Sequence, residues 1–228
     1  MKTSHLLIEP GTESIIKPRE YTQTQLEDIK ILREYARSLQ LPADDSYAPW
    51  EQRWLDWPDC CGRYMRAGKW KMDDAKRRIK ATMEWRRAVR PDLIKPEDVR
   101  VESETGKMER AIEWMPPGQD SLVILVDYAS CTLRTNPSIG TANKVLNILQ
   151  QHYVERLGRA IVVNLPILLT FFYKGISPFL DPVTKEKMRF NPNLLELIPI
   201  DHLDAQFGGK YDYEFEPVTY WKELNEYV

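Results

Sequence analysis

Apolar residues recur at intervals of three and four along the N-terminal third of the chain, which predicts amphipathic helices. The first predicted helix begins at Thr24 and Glu27, which have the spacing of a capping box, and ends near Pro42. The polar, tryptophan-rich stretch over 44–58 is predicted to be a linker. The chain therefore opens with helical structure.

Two further helices are predicted before residue 95. The segment 59–70, DCCGRYMRAGKW, forms a short one. The next takes Asp73 or Asp74 as its N-cap and is ended by Pro91. No strand pattern precedes residue 120, so the N-terminal part is predicted to be helical throughout.

The pattern changes after residue 120. Residues 122–126 read LVILV, a continuous run that is typical of a strand buried on both faces. Apolar positions over 142–157 predict a helix closed by Gly158, and 160–163 and 188–190 predict two more short strands. A strand, a helix and a strand in this order imply a parallel pair with a right-handed crossover. The predicted fold class is α/β.

A further helix in this part, beginning at residue 168, is apolar on nearly every side. Such a helix is buried or faces something apolar other than water. Two interpretations remain open, an internal core helix and a helix that contacts a lipid acyl chain. Arg156 and Arg159, before it, either cap a helix end or belong with Thr184 and Lys187 to a phosphate-binding headgroup site.

Composition narrows the function. The 228 residues are 43% apolar and 29% charged, as in a folded globular protein, and the net charge of −2 provides no general attraction for nucleic acid. The basic helix over 69–90 either approaches an anionic membrane surface or is a solvated face. The cysteines, Cys60, Cys61 and Cys131, have no disulfide framework spacing, and no export signal or membrane span is predicted, so we expect a cytoplasmic protein.

No motif indicates catalysis. The three histidines are scattered, no two cysteines have metal-ligand spacing, and the Gly-Lys pairs at 106–107 and 209–210 lack the other residues of a phosphate loop. There is no G-x-S-x-G elbow. We therefore predict that the protein is not an enzyme and uses no metal or cofactor.

Several motifs occur in a specific order between residues 40 and 225. They are RYMRAGKWKMDDAKRRIKATMEWRR, MPPGQDSLVILVDY, VLNILQQHYVERLGRAIVVNLP, ISPFLDPVTKEKMRF and DHLDAQFGGKYDYEF. In this order they resemble the CRAL-TRIO lipid-binding family, in particular its fungal phosphatidylinositol/phosphatidylcholine transfer proteins. The resemblance implies a helical N-terminal lobe and an α/β lobe whose sheet floors a lipid pocket under a mobile gate helix. The expected divisions are an extension over 1–41, a helical region over 42–95 and a lipid-binding domain over 105–228.

The resemblance also assigns site residues. The positions that bind the lipid headgroup match Glu155, Arg156, Thr184 and Lys187. The gate helix and the acyl-chain contacts match Leu168, Leu169, Phe171, Phe172, Ile176 and Phe179. A basic residue that helps to bind the headgroup in relatives falls on Gly68, and neighbouring Lys69 is its expected substitute.

One segment of the family pattern is missing between Lys107 and Met108, which implies an internal deletion and a sheet of about three strands. The leading hypothesis is binding and inter-membrane transfer of a glycerophospholipid, phosphatidylinositol, by a cytoplasmic monomer that associates transiently with membrane surfaces and binds no nucleic acid. The alternative is a truncated, non-carrying CRAL-TRIO module that acts as a membrane-recruited interaction or regulatory scaffold.

Overall fold

The computed structural model describes most of the chain, namely residues 2–3, 19–94, 109, 111–115, 118–129, 138–166, 171, 175, 177–180, 182–214, 216 and 219–220. The junction of Lys107 with Met108 lies outside the described residues. So do four of the predicted gate positions, which are Leu168, Leu169, Phe172 and Ile176.

Four helices form the N-terminal lobe. They are α1 (Gln23–Ser38), α2 (Ala48–Asp56), α3 (Cys60–Ala67) and α4 (Met72–Val89). The capping box of α1 is formed by Thr22 and Gln25, with each side chain accepting a hydrogen bond from the other residue's backbone N–H. The predicted pair, Thr24 and Glu27, was wrong because two overlapping motifs are present and the helix uses the earlier one.

Two other helix boundaries differ from the sequence expectation. The predicted linker contains α2, which begins with a proline in its first turn and buries Trp54 and Leu55. The N-cap of α4 is Lys71, so Asp73 and Asp74 lie in its first turn, where acidic side chains are favoured by the helix dipole. Burial of apolar side chains therefore overrode the polar composition of the supposed linker.

The core of this lobe is built from all four helices. Its members are fully or almost fully buried apolar side chains, namely Leu32, Ala36, Trp54, Leu55, Cys60, Cys61, Tyr64, Met65, Ala75, Ile79, Met83 and Val154. Val154 belongs to the turn that follows the helix α5 (Ile139–His152), so this core already joins the helical lobe to the second lobe.

The second lobe contains a parallel sheet. Its strands are β2 (Leu122–Asp127), β3 (Leu157–Val163) and β4 (Met188–Phe190) in the order β2-β3-β4, with the short helix α6 (Pro182–Lys187) leading into β4. This confirms the predicted α/β class and the parallel pair. Helix α5 ends before Tyr153, so Leu157 and Gly158 begin β3 instead of closing the helix as predicted.

The two faces of the sheet have different neighbours. One face carries Leu125, Ile161 and Val163, which pack with Leu194 and Leu203 from the C-terminal segment. The register places a second set of apolar residues on the opposite face, namely Ile124, Val126, Ala160, Val162, Met188 and Phe190. The sheet thus has one face occupied by the C-terminal segment and one further apolar face.

Strand β2 lies at the edge of the sheet. Its Val123 is 60% exposed, so the prediction that this strand is buried on both faces was wrong at that position. The physical reason is that β2 pairs only with β3 among the described strands. A strand was also missed near the N-terminus, where β1 (Lys2–Thr3) pairs in parallel with β5 (Asp212–Tyr213).

A buried ion network joins α4 to the second lobe. Arg86 is 3% exposed and donates to both carboxylate oxygens of Glu109 at 3.0 and 3.1 Å. It also pairs with Asp92, while Tyr153 donates to Glu109 at 2.7 Å. Burial alone would lower the pKa of Arg86, but the carboxylates of Glu109 and Asp92 outweigh it and raise that pKa. Arg86 therefore stays charged at physiological pH.

Replacing Arg86 with Ala is expected to destabilise the protein by about 3 to 5 kcal/mol, because it leaves two buried carboxylates without their cation. Arg77→Ala on the same helix is the control, since Arg77 is exposed and its one ion pair among the described residues is with Asp74, and it should cost under about 1 kcal/mol. Urea unfolding measures both. Equal losses for the two variants would contradict a structural role for the network.

His152 closes α5 against α4. Its ring stacks on Trp85 with centroids 4.5 Å apart, and its Nδ1 lies 3.2 Å from the hydroxyl of Thr82. Burial, with a contribution from Arg86, lowers the pKa of His152 from its ordinary 6.5 to about 4. The folded protein therefore favours the neutral ring.

Because the folded-state pKa of His152 is depressed, its contribution to stability is complete above pH 6.5 and is lost as the pH falls through about 4. His152→Gln should therefore weaken the dependence of unfolding free energy on pH across that window. The matched control is His202→Gln, which replaces an exposed histidine. Urea unfolding at several pH values gives the slopes, and an unchanged slope in His152→Gln would refute this assignment.

Candidate functional site

The turn between α5 and β3 and the end of α6 meet at the start of β3. Lys187, the last residue of α6, donates from Nζ to the carbonyl of Leu157 at 2.6 Å. Thr184 lies one helical turn earlier on α6, and Glu155 lies two residues before Leu157. The structure therefore brings the Lys187 side chain to the first residue of β3, next to the turn that carries Glu155, while Thr184 is related to them only through its place on α6.

Glu155 has an unusual backbone conformation. Its φ is 59°, in the left-handed region that residues with a side chain seldom adopt. Its carboxylate is about one-third exposed and lies 3.8 Å from Nε of Arg66, on the last turn of α3. The carboxylate is thus attracted by a cation while remaining open to solvent on one side.

Arg156, the fourth predicted headgroup residue, is directed towards the helical lobe. It is 6% exposed, donates to the carbonyl of Asp120 at 3.1 Å, and lies over the ring of Trp57 at 5.1 Å. Burial, followed by repulsion from Arg63, lowers the pKa of Arg156 to about 9. These contacts serve the packing of the two lobes, and a role for Arg156 in headgroup binding stays a prediction.

Two arginines of α3 that the sequence reasoning missed support this turn. Arg63 is 2% exposed and donates to the carbonyl of Val154 at 3.1 Å. Arg66 pairs with Asp59 at 2.9 Å and with Asp120 at 2.8 Å in addition to Glu155. The available signal was the pair of arginines three residues apart on a short, otherwise apolar helix, because such side chains need acceptors when the helix is buried.

The described gate residues are largely exposed. Phe171 is 66% and Phe179 is 58% exposed, and the carbonyl of Phe179 accepts from the side chain of Gln150 at 3.4 Å. An internal core helix would bury both rings. Their exposure is therefore against that interpretation at these two positions.

The position of the missing basic residue is closely packed. A Cβ on Gly68 would lie 3.1 Å from the backbone nitrogen of Ala75 and 3.2 to 3.3 Å from the carbonyl oxygens of Tyr64 and Lys71. Lys69 is exposed beside it, with a left-handed backbone. The cation that the structure places next to Glu155 is Arg66.

Other chemistry has little support in the part of the chain that is described. Within those ranges no group of His, Cys, Asp and Glu side chains is arranged to hold a metal ion. No helix among the described residues combines the length and the apolar character needed to cross a bilayer. Cys60 and Cys61 are free thiols buried in the helical core.

The described residues form an α/β fold that combines a helical lobe with a small parallel sheet. Polar side chains lie at the start of the central strand of that sheet. The family model of the CRAL/TRIO domain matches residues 88–209, so the chain belongs to the CRAL/TRIO family. The fold agrees with the crystal structure of Sfh5, which it matches with a TM-score of 0.60 at 14% identity over 85% of this chain and 89% of that one.

Two relatives extend the comparison. The CRAL-TRIO domain-containing protein C23B6.04c of Schizosaccharomyces pombe is 38% identical over 77% of this chain, which covers 21% of that protein. The phosphatidylinositol transfer protein PDR17 of Saccharomyces cerevisiae is 29% identical over 79% of this chain, which covers 65% of it. The first alignment runs over 212 residues although it covers only 77% of this chain, so that relative has residues inside the matched region that this chain lacks.

Gly68→Ala is expected to destabilise the protein by about 1 kcal/mol, because the added methyl group meets backbone atoms that cannot move freely. Gly140→Ala in the first turn of α5 is the control. There the nearest atom, Oγ of Ser138, is 3.7 Å away, so stability should rise by about 0.5 kcal/mol. Thermal unfolding measures the stability of both variants. A Gly68→Ala variant that is more stable than the wild type would show that the surrounding backbone moves to accommodate the methyl group.

Proposed function

We propose that the protein binds a glycerophospholipid, with phosphatidylinositol as the preferred lipid, and carries it between membranes. The proposal is supported by the contact of Lys187 with the first residue of β3, beside the turn that carries Glu155, in a CRAL/TRIO fold. The similar protein PDR17 is a phosphatidylinositol transfer protein, and this supports the choice of lipid in the proposal. The division into an extension, a helical region and a lipid-binding domain is part of the same proposal.

The acyl chains would lie against the apolar sheet face that is turned away from the C-terminal segment. That face carries the half-buried Ile124, Val126 and Ala160, and Phe190 at its edge is 46% exposed. Transfer of a chain from water to such a surface is favourable by about 0.8 kcal/mol for each buried methylene. The gate residues, including the exposed Phe171 and Phe179, would cover the chains or contact the membrane.

The headgroup would be held by two kinds of contact. Lys187 and the hydroxyl of Thr184 supply donors for phosphate oxygens, and the carboxylate of Glu155 accepts from inositol hydroxyl groups. No bond is made or broken in this function, so the protein acts as a carrier and not as an enzyme. We propose a cytoplasmic monomer that contacts membranes transiently.

Glu155→Gln and Lys187→Gln are each expected to lower phosphatidylinositol transfer between vesicles on the order of tenfold, because each removes a charged partner of the headgroup. Lys210→Gln is the matched control, since Lys210 is exposed and pairs with Asp201 away from this site. Transfer of labelled lipid from donor to acceptor vesicles provides the rates. Rates unchanged by both substitutions would show that the headgroup site is elsewhere.

The alternative, a membrane-recruited scaffold that carries no lipid, is favoured by the edge position of β2 and the exposure of Val123, which indicate a sheet of reduced extent. Native mass spectrometry of protein purified from cells separates the two functions. The carrier requires a population with a co-purified phospholipid. Protein that binds vesicles but never retains lipid supports the scaffold.

A further inference from the structure

The turn that carries Glu155 needs external support. A residue with a side chain in the left-handed region costs about 1 kcal/mol or more, and such a conformation persists only where surrounding contacts maintain it. Arg63 binds the carbonyl of Val154 on one side of Glu155, and Arg156 binds the carbonyl of Asp120 on the other. The backbone of the turn is thus tied to the helical lobe and to the segment before β2.

Arg66 acts on the side chain of Glu155. Its guanidinium group is 13% exposed and is oriented by Asp59 and Asp120, each within 3 Å of Nη2, and by a contact with the hydroxyl of Tyr21. This leaves Nε, which has no hydrogen-bond partner among the described residues, 3.8 Å from the carboxylate of Glu155. A planar guanidinium group held at its other end has a fixed direction towards Glu155.

The separation of 3.8 Å is long for a hydrogen bond but short enough for electrostatic attraction. Glu155 is therefore drawn to one place while its oxygen atoms keep their capacity to accept hydrogen bonds. Gly68 contributes no side chain here, so the cation beside Glu155 comes from Arg66, two residues earlier on α3.

We propose that Arg66 is a positioning residue that orients Glu155 and thereby sets the preference for an inositol headgroup over a choline headgroup. This inference rests on the proposed function. Arg66 itself is engaged by Asp59 and Asp120 and does not need to touch the lipid. The preference for a hydroxyl-bearing headgroup arises because a correctly placed carboxylate can accept from ring hydroxyl groups, which choline lacks.

The test is a double-mutant cycle on Arg66 and Glu155. The measured quantity is the ratio of bound phosphatidylinositol to bound phosphatidylcholine. Purified full-length protein is incubated with vesicles that contain phosphatidylinositol and phosphatidylcholine, and the two lipids that it retains are quantified. Arg66→Gln should lower the phosphatidylinositol to phosphatidylcholine ratio roughly fivefold while total lipid per protein stays unchanged. Glu155→Gln should lower the ratio at least as much, and the double variant should match Glu155→Gln alone.

Arg77→Gln is the control for loss of an arginine that pairs only with a neighbouring carboxylate, and it should leave the ratio unchanged. Arg66→Lys keeps the charge but cannot engage both carboxylates and Glu155 as a planar fork, so it should lower the ratio by a smaller factor. It also serves as the test variant if Arg66→Gln does not fold. Thermal unfolding of each variant verifies folding.

The outcomes separate the two proposals. A wild-type protein that retains neither lipid contradicts the carrier function itself, and a ratio unaffected by Glu155→Gln contradicts the headgroup assignment. If Glu155→Gln lowers the ratio but the Arg66 variants do not, or if the two losses add in the double variant, the positioning role of Arg66 is refuted. A loss of total lipid at a constant ratio would show that Arg66 only stabilises the fold.

Discussion

The buried contact between Arg86 and Glu109 is the interaction on which the arrangement of the two lobes depends. Arg86 belongs to α4, whereas Glu109 accepts a second hydrogen bond from Tyr153, at the end of α5. Removing charges from water is costly, and the cost is offset here by the hydrogen bonds that both Nη atoms of Arg86 and both carboxylate oxygens of Glu109 make. The geometry of α4 against the second lobe is therefore strictly defined.

The candidate site depends on this arrangement because its polar residues come from both sides of the junction. The turn that follows Tyr153 contacts α3 through Val154 and Glu155. Leu157, the first residue of β3 after this turn, contacts α6. A shift of the helical lobe would move the support of Glu155 without moving Lys187. Headgroup recognition in this proposal is thus a property of the junction between lobes and not of a single motif.

The limited extent of the sheet bears on how a lipid could be enclosed. Among the described residues, three parallel strands form one apolar face that packs on the C-terminal segment and a second apolar face, but β2 lies at an edge and exposes Val123. The alignment with the Schizosaccharomyces pombe relative is longer than the part of this chain that it covers, so the relative has extra residues inside the matched region. A segment missing between Lys107 and Met108, as the family resemblance implies, would account for such residues. An apolar edge of this kind favours association with another surface.

Much of the fold could be predicted because its signals are local. The helical periodicity of the N-terminal lobe, the LVILV run of β2 and the order of strand, helix and strand all reflect which side chains must be removed from water. Boundaries were less predictable. The sequence around Thr22 contains two capping boxes, and the end of α5 is decided by a left-handed turn at Glu155 that no local preference favours.

By itself, the sequence determined the α/β class and the parallel pairing, because periodicity is a property of the chain, and its motif order is what nominates Glu155 and Lys187 for the proposed headgroup site. Only the tertiary structure decided that Arg156 turns towards Trp57 while Arg66 faces Glu155. The physical reason is that an arginine takes the position where its charge finds acceptors and its planar group finds packing. Those acceptors, including Asp120, come from segments distant in sequence.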